Sequence, residues 1–402
     1  MIDVAQAQQQ VDEHTGSSAV VTVEMSSALG MTLAEDVTSD VDSPPHDKAM
    51  VDGYAVVAAD LTSGEAELVV LEEVTAGEVP TKEVRPGCAT RIMTGAPVPV
   101  GAGAVVMIEQ TELVDESRVR IRVEAVRPQM NIMARATALR RGEVVLSVGT
   151  TIQSLEIALL AEVGRGQVQV VRRPTVAILA TGDELVPPDT KPAAGQIRNS
   201  NGPMLAALVR EAGGEPIELA IGRDDEAALT ELVTQGLEAD LLVLSGGVSA
   251  GVLDLVPKVL DDLGVRQVFH KVRLKPGKPV WFGVQGEGER LTPVFGLPGN
   301  PLGTFVGFQL FVRRTIAARN GRTELGLPQR QAALADDFQQ RGDRPTYFPA
   351  LLSDGPSGAI VRLLPWQGSA DIRGATTANC LAIFSAGSKM FGAGELIEVL
   401  VF

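Results

Sequence analysis

Residues 175–185 read Thr175-Val176-Ala177-Ile178-Leu179-Ala180-Thr181-Gly182-Asp183-Glu184-Leu185. Val176 to Ala180 is an unbroken apolar run, and Gly182, Asp183 and Glu184 end it abruptly. A continuous apolar run of this length marks a strand buried on both faces, because a half-exposed strand would alternate. The pattern recurs at LLVLS (241–245) before Gly246-Gly247-Val248-Ser249-Ala250-Gly251, and at PVFG (293–296) before Leu297-Pro298-Gly299-Asn300-Pro301. Between and after these runs lie stretches with helical periodicity, GPMLAALVREAG, DEAALTELVTQGL and NPLGTFVGFQLFVRRTIAAR. The expected architecture is a parallel sheet covered by helices on both faces. Loops that follow parallel strands leave the sheet at one edge, where ligands bind. Three loops distant in sequence are therefore expected to line one crevice.

Working outward, the chain divides into four composition blocks. Residues 1 to about 40 read as helical, with polar and apolar residues in periodic alternation. Residues 41–142 are rich in Val, Gly and Pro. Runs such as ELVVLEEV and RVRIRVEAV are broken by turn signals there, which predicts a β-rich domain. The α/β block covers 173–325. Residues 326–402 return to short strands, AIVRLLP, CLAIF and ELIEVLVF, and predict a small barrel or sandwich.

Composition excludes several classes of function. Of 402 residues, 50 are acidic and 35 are Lys or Arg, so the formal net charge is −15. General nucleic-acid binding rests on neutralising phosphates, and this balance opposes it. Two cysteines, Cys88 and Cys380, and three histidines, His14, His46 and His270, leave little for a zinc site. The segment MIDVAQAQQQVDEHTG carries no apolar signal core, and no run is apolar enough to cross a bilayer. A reducing, cytoplasmic setting is the simplest expectation.

Each candidate loop carries two readings. Thr181 and Glu184 fit a helix capping box, while Asp183 or Glu184 could instead hold a cation or a sugar hydroxyl. The turn Ser245-Gly246-Gly247 could be a plain turn or a backbone cradle for an anion. Pro298, Gly299, Asn300 and Pro301 make a rigid loop that opens a helix. In HKVRLKPGKP (270–279), four cations in eight positions suit a solvated sheet edge. Proline and glycine also fix Lys275 and Lys278 on a bend suited to an oxyanion. Glu184, Asp224, Asp254 and Asp52 are hard oxygen ligands of the kind Mg²⁺ takes. Gly247-Val248-Ser249-Ala250-Gly251 fits the nucleophile elbow of a serine hydrolase, with His270 as the one downstream histidine. The phosphate-loop and dinucleotide fingerprints are absent.

In this order, the stretches SPPHDKAMVDGYAV, IMTGAPVP, AVVMIEQ, AILATGDELV, GQIRNSNGPML, LSGGVSAGVLD, KPGKPVWFG, FGLPGNP and QGSADIRG resemble the molybdopterin molybdenumtransferase family, the MoeA type also represented by the gephyrin E-domain. The resemblance implies a multidomain α/β fold. Its parts are a three-layer molybdopterin-binding domain, a β-rich domain, a helical linker used in dimerisation, and a C-terminal β-barrel. It implies a transferase that takes adenylyl-molybdopterin and molybdate to molybdenum cofactor and AMP with Mg²⁺. It further implies a homodimer with its cleft between subunits, a molybdopterin-adenylating protein or domain as supplier, and molybdoenzymes as acceptors.

Residue by residue, the resemblance puts catalytic positions on Asp52, Thr94, Asp224, Asp254, Lys275 and Lys278. Substrate contacts fall on Thr181, Gly182, Glu184, Ser245, Gly246, Gly247, Ser249, Pro298, Gly299, Asn300 and Pro301. Glu184, Asp224 and Asp254 would hold the metal. The sequence departs from the family pattern at 135–142, where Ala136 stands at an expected glycine and Ala138 at an expected acid. That departure raises a second expectation, a paralogue with weakened insertion that acts as a molybdopterin carrier or dimeric scaffold.

Overall fold

The computed structural model describes residues 1–247, 255–356 and 358–402. The chain forms two compact units. One comprises Met1–Val23, Ala28–Ala34 and Gln169–Phe402, and the other Glu24–Ser27 with Glu35–Val168.

The larger unit is built on a six-stranded sheet of β1 (Thr175–Ala180), β2 (Glu215–Glu218), β3 (Leu241–Ser245), β4 (Arg266–His270), β5 (Trp281–Gln285) and β6 (Thr292–Leu297). Their order across the sheet is β2-β1-β3-β6-β5-β4. Strands β2, β1, β3 and β6 are parallel, as the apolar runs predict. The sheet is not wholly parallel: β5 runs antiparallel to both β6 and β4. The cause is the short link 271–280, which returns the chain as a hairpin-like connection, whereas a parallel neighbour needs a crossover of a dozen or more residues.

Helices cover both faces. One face buries Ile178, Val243, Phe282 and Phe295 against helices α1 (Val4–Glu13), α2 (Asn201–Ala212) and the helical run from Pro301 to Arg319. The other buries Leu179, Leu242, Leu244 and Val294 against α3 (Glu226–Gly236) and α4 (Leu255–Asp262). Helix α1 starts at a reciprocal capping box between Asp3 and Gln6. Helix α2 stops at Gly213, whose φ of 89° closes the last turn in the left-handed region. The helical expectation for residues 1 to about 40 holds only for Val4–Glu13. The β-branched run Val20–Glu24 is a strand and Met25–Ser27 a single 3₁₀ turn, because four β-branched residues in the five favour a pleat over a helix.

The same unit closes with a five-stranded barrel of β7 (Gln329–Leu334), β8 (Thr346–Gly355), β9 (Gly358–Leu363), β10 (Cys380–Phe384) and β11 (Leu396–Val401). Its interior holds Leu334, Val361, Ala382, Phe384 and Val399. Cys380 is buried there and Cys88 half-buried, and both are free thiols.

The smaller unit is β-rich. Its six-stranded sheet orders Ala104–Met107, Gly53–Val56, Cys88–Ile92, Glu65–Val74, Arg118–Arg122 and Thr111–Asp115. Tyr54, Leu68, Val106 and Ile121 fill one face, and Ala55, Ile92 and Val105 the other. Gly53 has no room for a side chain: a Cβ there would lie 1.8 Å from the carbonyl oxygen of Val106. Among the described residues, no helix is long and apolar enough to cross a membrane.

Candidate active site

Strand register brings the three predicted loops to one level. Ala180 stands opposite Ser245, and Ser245 opposite Leu297, so β1, β3 and β6 end in step. The loops that follow line one cleft of about 710 Å³. Its walls include Thr181, Gly182, Glu184, Asp224, Ser245, Gly246, Gly247, Pro298, Gly299, Asn300 and Pro301. The position at the carboxyl ends of parallel strands is where open α/β sheets bind ligands.

Close backbone packing sets the shape of the floor. The Gly246 N–H donates to the Leu297 carbonyl at 3.1 Å, and the Thr181 N–H to the Ser245 carbonyl at 3.0 Å. Gly246 and Gly247 have φ of 95° and 62°. A Cβ on Gly246 would lie 2.5 Å from the Thr181 carbonyl oxygen, and one on Gly247 2.7 Å from Val256 Cγ2. Both positions therefore need glycine. The buried Asn201 side chain cross-links the floor: its Nδ2 donates to Ser245 Oγ at 2.7 Å and to the Gly299 carbonyl at 2.8 Å.

The acids divide by role. Glu184 is exposed, and its carboxylate folds back over Gly182, where a Cβ would lie 2.5 Å from Oε2. The capping reading of Thr181–Glu184 fails, because Leu185–Val186 continues as a short strand and no helix starts there. Asp224 lines the cleft, and its N–H donates to Asp183 Oδ1 at 3.1 Å. The adjacent Asp225 is structural, since its side chain caps α3 by accepting from the Ala228 N–H at 2.9 Å. Asp254 and Ser249 lie outside the described residues.

Lys275 and Lys278 are exposed and stand outside the lining, although their neighbour Pro279 belongs to it. Their bend packs on the start of the last helix, where a Cβ on Gly277 would lie 3.2 Å from the Gly303 carbonyl oxygen. The strand before this run, β4, is an edge strand, but Lys271, Arg273, Lys275 and Lys278 lie in the link to β5, so the edge-strand reading does not hold for them. The hydrolase reading falls on Ser249, which lies outside the described residues; His270 ends β4, which β5 and β6 separate from β3.

In the smaller unit, Asp52 and Thr94 meet directly. Asp52 Oδ1 accepts from both the N–H and the hydroxyl of Thr94, each at 2.7 Å. These bonds hold the Asp52 carboxyl below its ordinary range, the hydroxyl contributing most. Ala136 takes φ of 60°, which a glycine would adopt without strain. The Ala138 N–H donates to the Ser43 carbonyl at 2.8 Å.

Several lining residues escaped prediction as site residues. Arg198, Asn199, Ser200 and Asn201 arrive with the short strand Ile197–Arg198 and the start of α2. Ala370 and Ile372 come from the segment before the last barrel strands, and the Leu302 N–H donates to Ser369 there at 3.0 Å. The quoted stretches GQIRNSNGPML and QGSADIRG hold these residues, so the signal lay in the motifs and not in any strand-then-loop pattern.

Fold and cleft together define a multidomain α/β protein with a switch-edge ligand site beside a β-barrel. Comparison with known proteins narrows this class. Residues 2–164 match the MoeA N-terminal region (domains I and II), 177–318 the probable molybdopterin binding domain, and 331–402 the MoeA C-terminal region (domain IV). A molybdopterin molybdenumtransferase of Staphylococcus aureus (strain Mu50) is 34% identical over 406 residues, covering 100% of this chain and 95% of the relative. One from Staphylococcus epidermidis (strain RP62A) is 33% identical over 386 residues, covering 95% and 91%. The crystal structure of the molybdopterin biosynthesis MoeA protein from Pyrococcus horikoshii aligns with a TM-score of 0.84 at 30% identity, over 100% of this chain and 99% of that one. This chain belongs to the MoeA-type molybdopterin molybdenumtransferase family.

Proposed function

We propose that the chain inserts molybdenum from molybdate into adenylyl-molybdopterin, giving molybdenum cofactor and AMP. The observation that carries this reading is the convergence of three strand-following loops on one cleft, in a chain that matches the family from end to end. A volume of about 710 Å³ suits a nucleotide-sized ligand.

The chain's own residues bind and orient. Gly246 and Gly247 let their turn pack against Thr181 and Val256, and at Gly299, where the nearest atom to a Cβ would be 3.8 Å away, the missing side chain leaves backbone open to the substrate. Pro298 and Pro301 hold the third loop rigid. Arg198 adds a cation to the lining, and Lys275 and Lys278 stand on the adjoining bend as further positive charge for phosphate or molybdate. Glu184 and Asp224, an all-oxygen donor pair on one cleft, would hold Mg²⁺. Among the described residues no group of three His, Cys, Asp or Glu could hold a metal, so phosphate oxygens, water or Asp254 would complete the shell, as Mg²⁺ prefers. When bound, Mg²⁺ polarises the phosphoanhydride. Ser249 is assigned a substrate contact. Asp52 and Thr94 are assigned catalytic roles, with Asp52 kept ionised by Thr94.

The four-domain division at 1–40 with 143–172, 41–142, 173–325 and 326–402 is carried forward with this reading. So are a cytoplasmic homodimer, a molybdopterin-adenylating protein as supplier and molybdoenzyme acceptors. The test is an assay of the purified chain with adenylyl-molybdopterin, molybdate and Mg²⁺. AMP release that requires molybdate is expected. No release, or release indifferent to molybdate, rejects the reading.

A further inference from the structure

Among the described residues, two buried polar atoms on the cleft floor have no hydrogen-bond partner. Thr181 is 4% and Asn201 8% exposed, and both line the cleft. The Nδ2 of Asn201 donates to the Gly299 carbonyl. A carbonyl oxygen only accepts, so this bond fixes which end of the amide is nitrogen. Asn201 Oδ1 is therefore an acceptor, buried without a hydrogen-bond partner, and Thr181 Oγ1, a hydroxyl that both donates and accepts, is likewise buried without one. Thr181 Oγ1 lies over the double-glycine turn, 2.9 Å from where a Cβ of Gly247 would be. Unpaired buried polar groups oppose folding, and a site lined by them rejects a ligand that cannot pair them.

We propose that this floor reads a hydrogen-bond donor edge of the substrate, an N–H-bearing heterocycle, and not its phosphate. A phosphate oxygen would meet the lone pairs of Asn201 Oδ1 and could donate nothing to them. An amino or ring N–H supplies the missing donor, and the Thr181 hydroxyl pairs with the same edge. The anionic end is left to the rest of the lining, where Arg198 is the one Lys or Arg among the described residues. The inference rests on the molybdopterin reading and deepens it. Adenylyl-molybdopterin carries two rings with such donors, pterin and adenine.

The test is Thr181→Val in the full chain. Among the described residues the hydroxyl bonds to nothing, so its removal breaks no bond there, and valine keeps the shape. Wild type and variant are titrated with a free pterin, with AMP and with inorganic pyrophosphate. The expected result is an unchanged or raised melting temperature, unchanged pyrophosphate affinity, and a loss of roughly five- to tenfold for pterin or for AMP. Thr181→Ser, which keeps the hydroxyl, should retain affinity. The weakened probe identifies the ring. Equal pterin and AMP affinities in both proteins, a loss confined to pyrophosphate, or failure of the wild type to bind either ring would overturn the inference. Unfolding of Thr181→Val would do so too, since the hydroxyl would then have a structural partner. Intact ring binding without molybdate-dependent AMP release would instead reject the functional reading alone.

Discussion

Gly246 and Gly299 both line the cleft, yet a methyl group at each should act in opposite ways. At Gly246 the backbone has φ of 95°, and a Cβ would sit 2.5 Å from the Thr181 carbonyl oxygen and 3.2 Å from its hydroxyl. That carbonyl belongs to backbone held by the bond from the Thr181 N–H to Ser245, so it cannot retreat cheaply. Placing an L-residue in the left-handed region costs about 1–2 kcal/mol, and overpacking against fixed atoms adds about 1–3 kcal/mol. Gly246→Ala should therefore lose about 2–5 kcal/mol. For a unit of this size that lowers the melting temperature by about 5–15 °C. At Gly299 the nearest atom to a Cβ is Gly246 Cα at 3.8 Å, an ordinary contact, and φ is not in the left-handed region. Gly299→Ala should leave the melting temperature within about 1 °C, while its methyl group enters the cleft and weakens ligand binding. The assay is thermal unfolding followed by titration with AMP and a free pterin. A Gly246→Ala protein as stable as wild type, or a Gly299→Ala protein that binds both probes normally, would refute the packing argument.

Other outcomes follow from single sites. Burial raises the pKa of Asp240, but bonds from Arg172 and Thr175 outweigh it and leave the carboxyl below its ordinary value. A depressed carboxyl stabilises the fold above its unfolded pKa of about 4 and loses that contribution as pH falls through the folded value. The stability gap between wild type and Asp240→Asn, measured by thermal melts, should therefore shrink as pH falls from 6 towards 3. Ala136→Gly relieves a left-handed φ of 60° at the cost of a freer unfolded chain. A gain of about 0.5–1 kcal/mol in denaturant melts is expected. Gly53→Ala drives a Cβ to 1.8 Å from Val106 backbone and should cost about 3 kcal/mol or more, read as loss of the smaller unit's unfolding transition. Ala138→Asp restores an acid that the family pattern expects, so molybdate-dependent turnover should rise; an unchanged rate rejects a deficit at that position.

The parallel core and its crevice were legible because apolar runs, abrupt glycine-rich stops and strand register obey local rules. Thr181, Ser245 and Pro298 could be placed on one edge from sequence periodicity alone. Asn201 could not, because its role depends on bonds to Ser245 and Gly299, 44 and 98 residues away. Ala370 and Ile372 reach the cleft only through the path of the chain into the barrel. The antiparallel strand β5 was hidden because an apolar run reports burial and not direction. The capping pattern at Thr181 misled, since the same residues at the same spacing serve a strand-to-strand turn.

On the proposed function, the substrate sits in the one cleft formed by the loops after β1, β3 and β6. The most direct measurement is a crystal structure of this chain with adenylyl-molybdopterin. Ligand density between Thr181, Gly246–Gly247 and Pro298–Pro301, with a ring N–H facing Asn201 Oδ1, is the expected result. Density bound elsewhere, with this cleft filled by water alone, would contradict it.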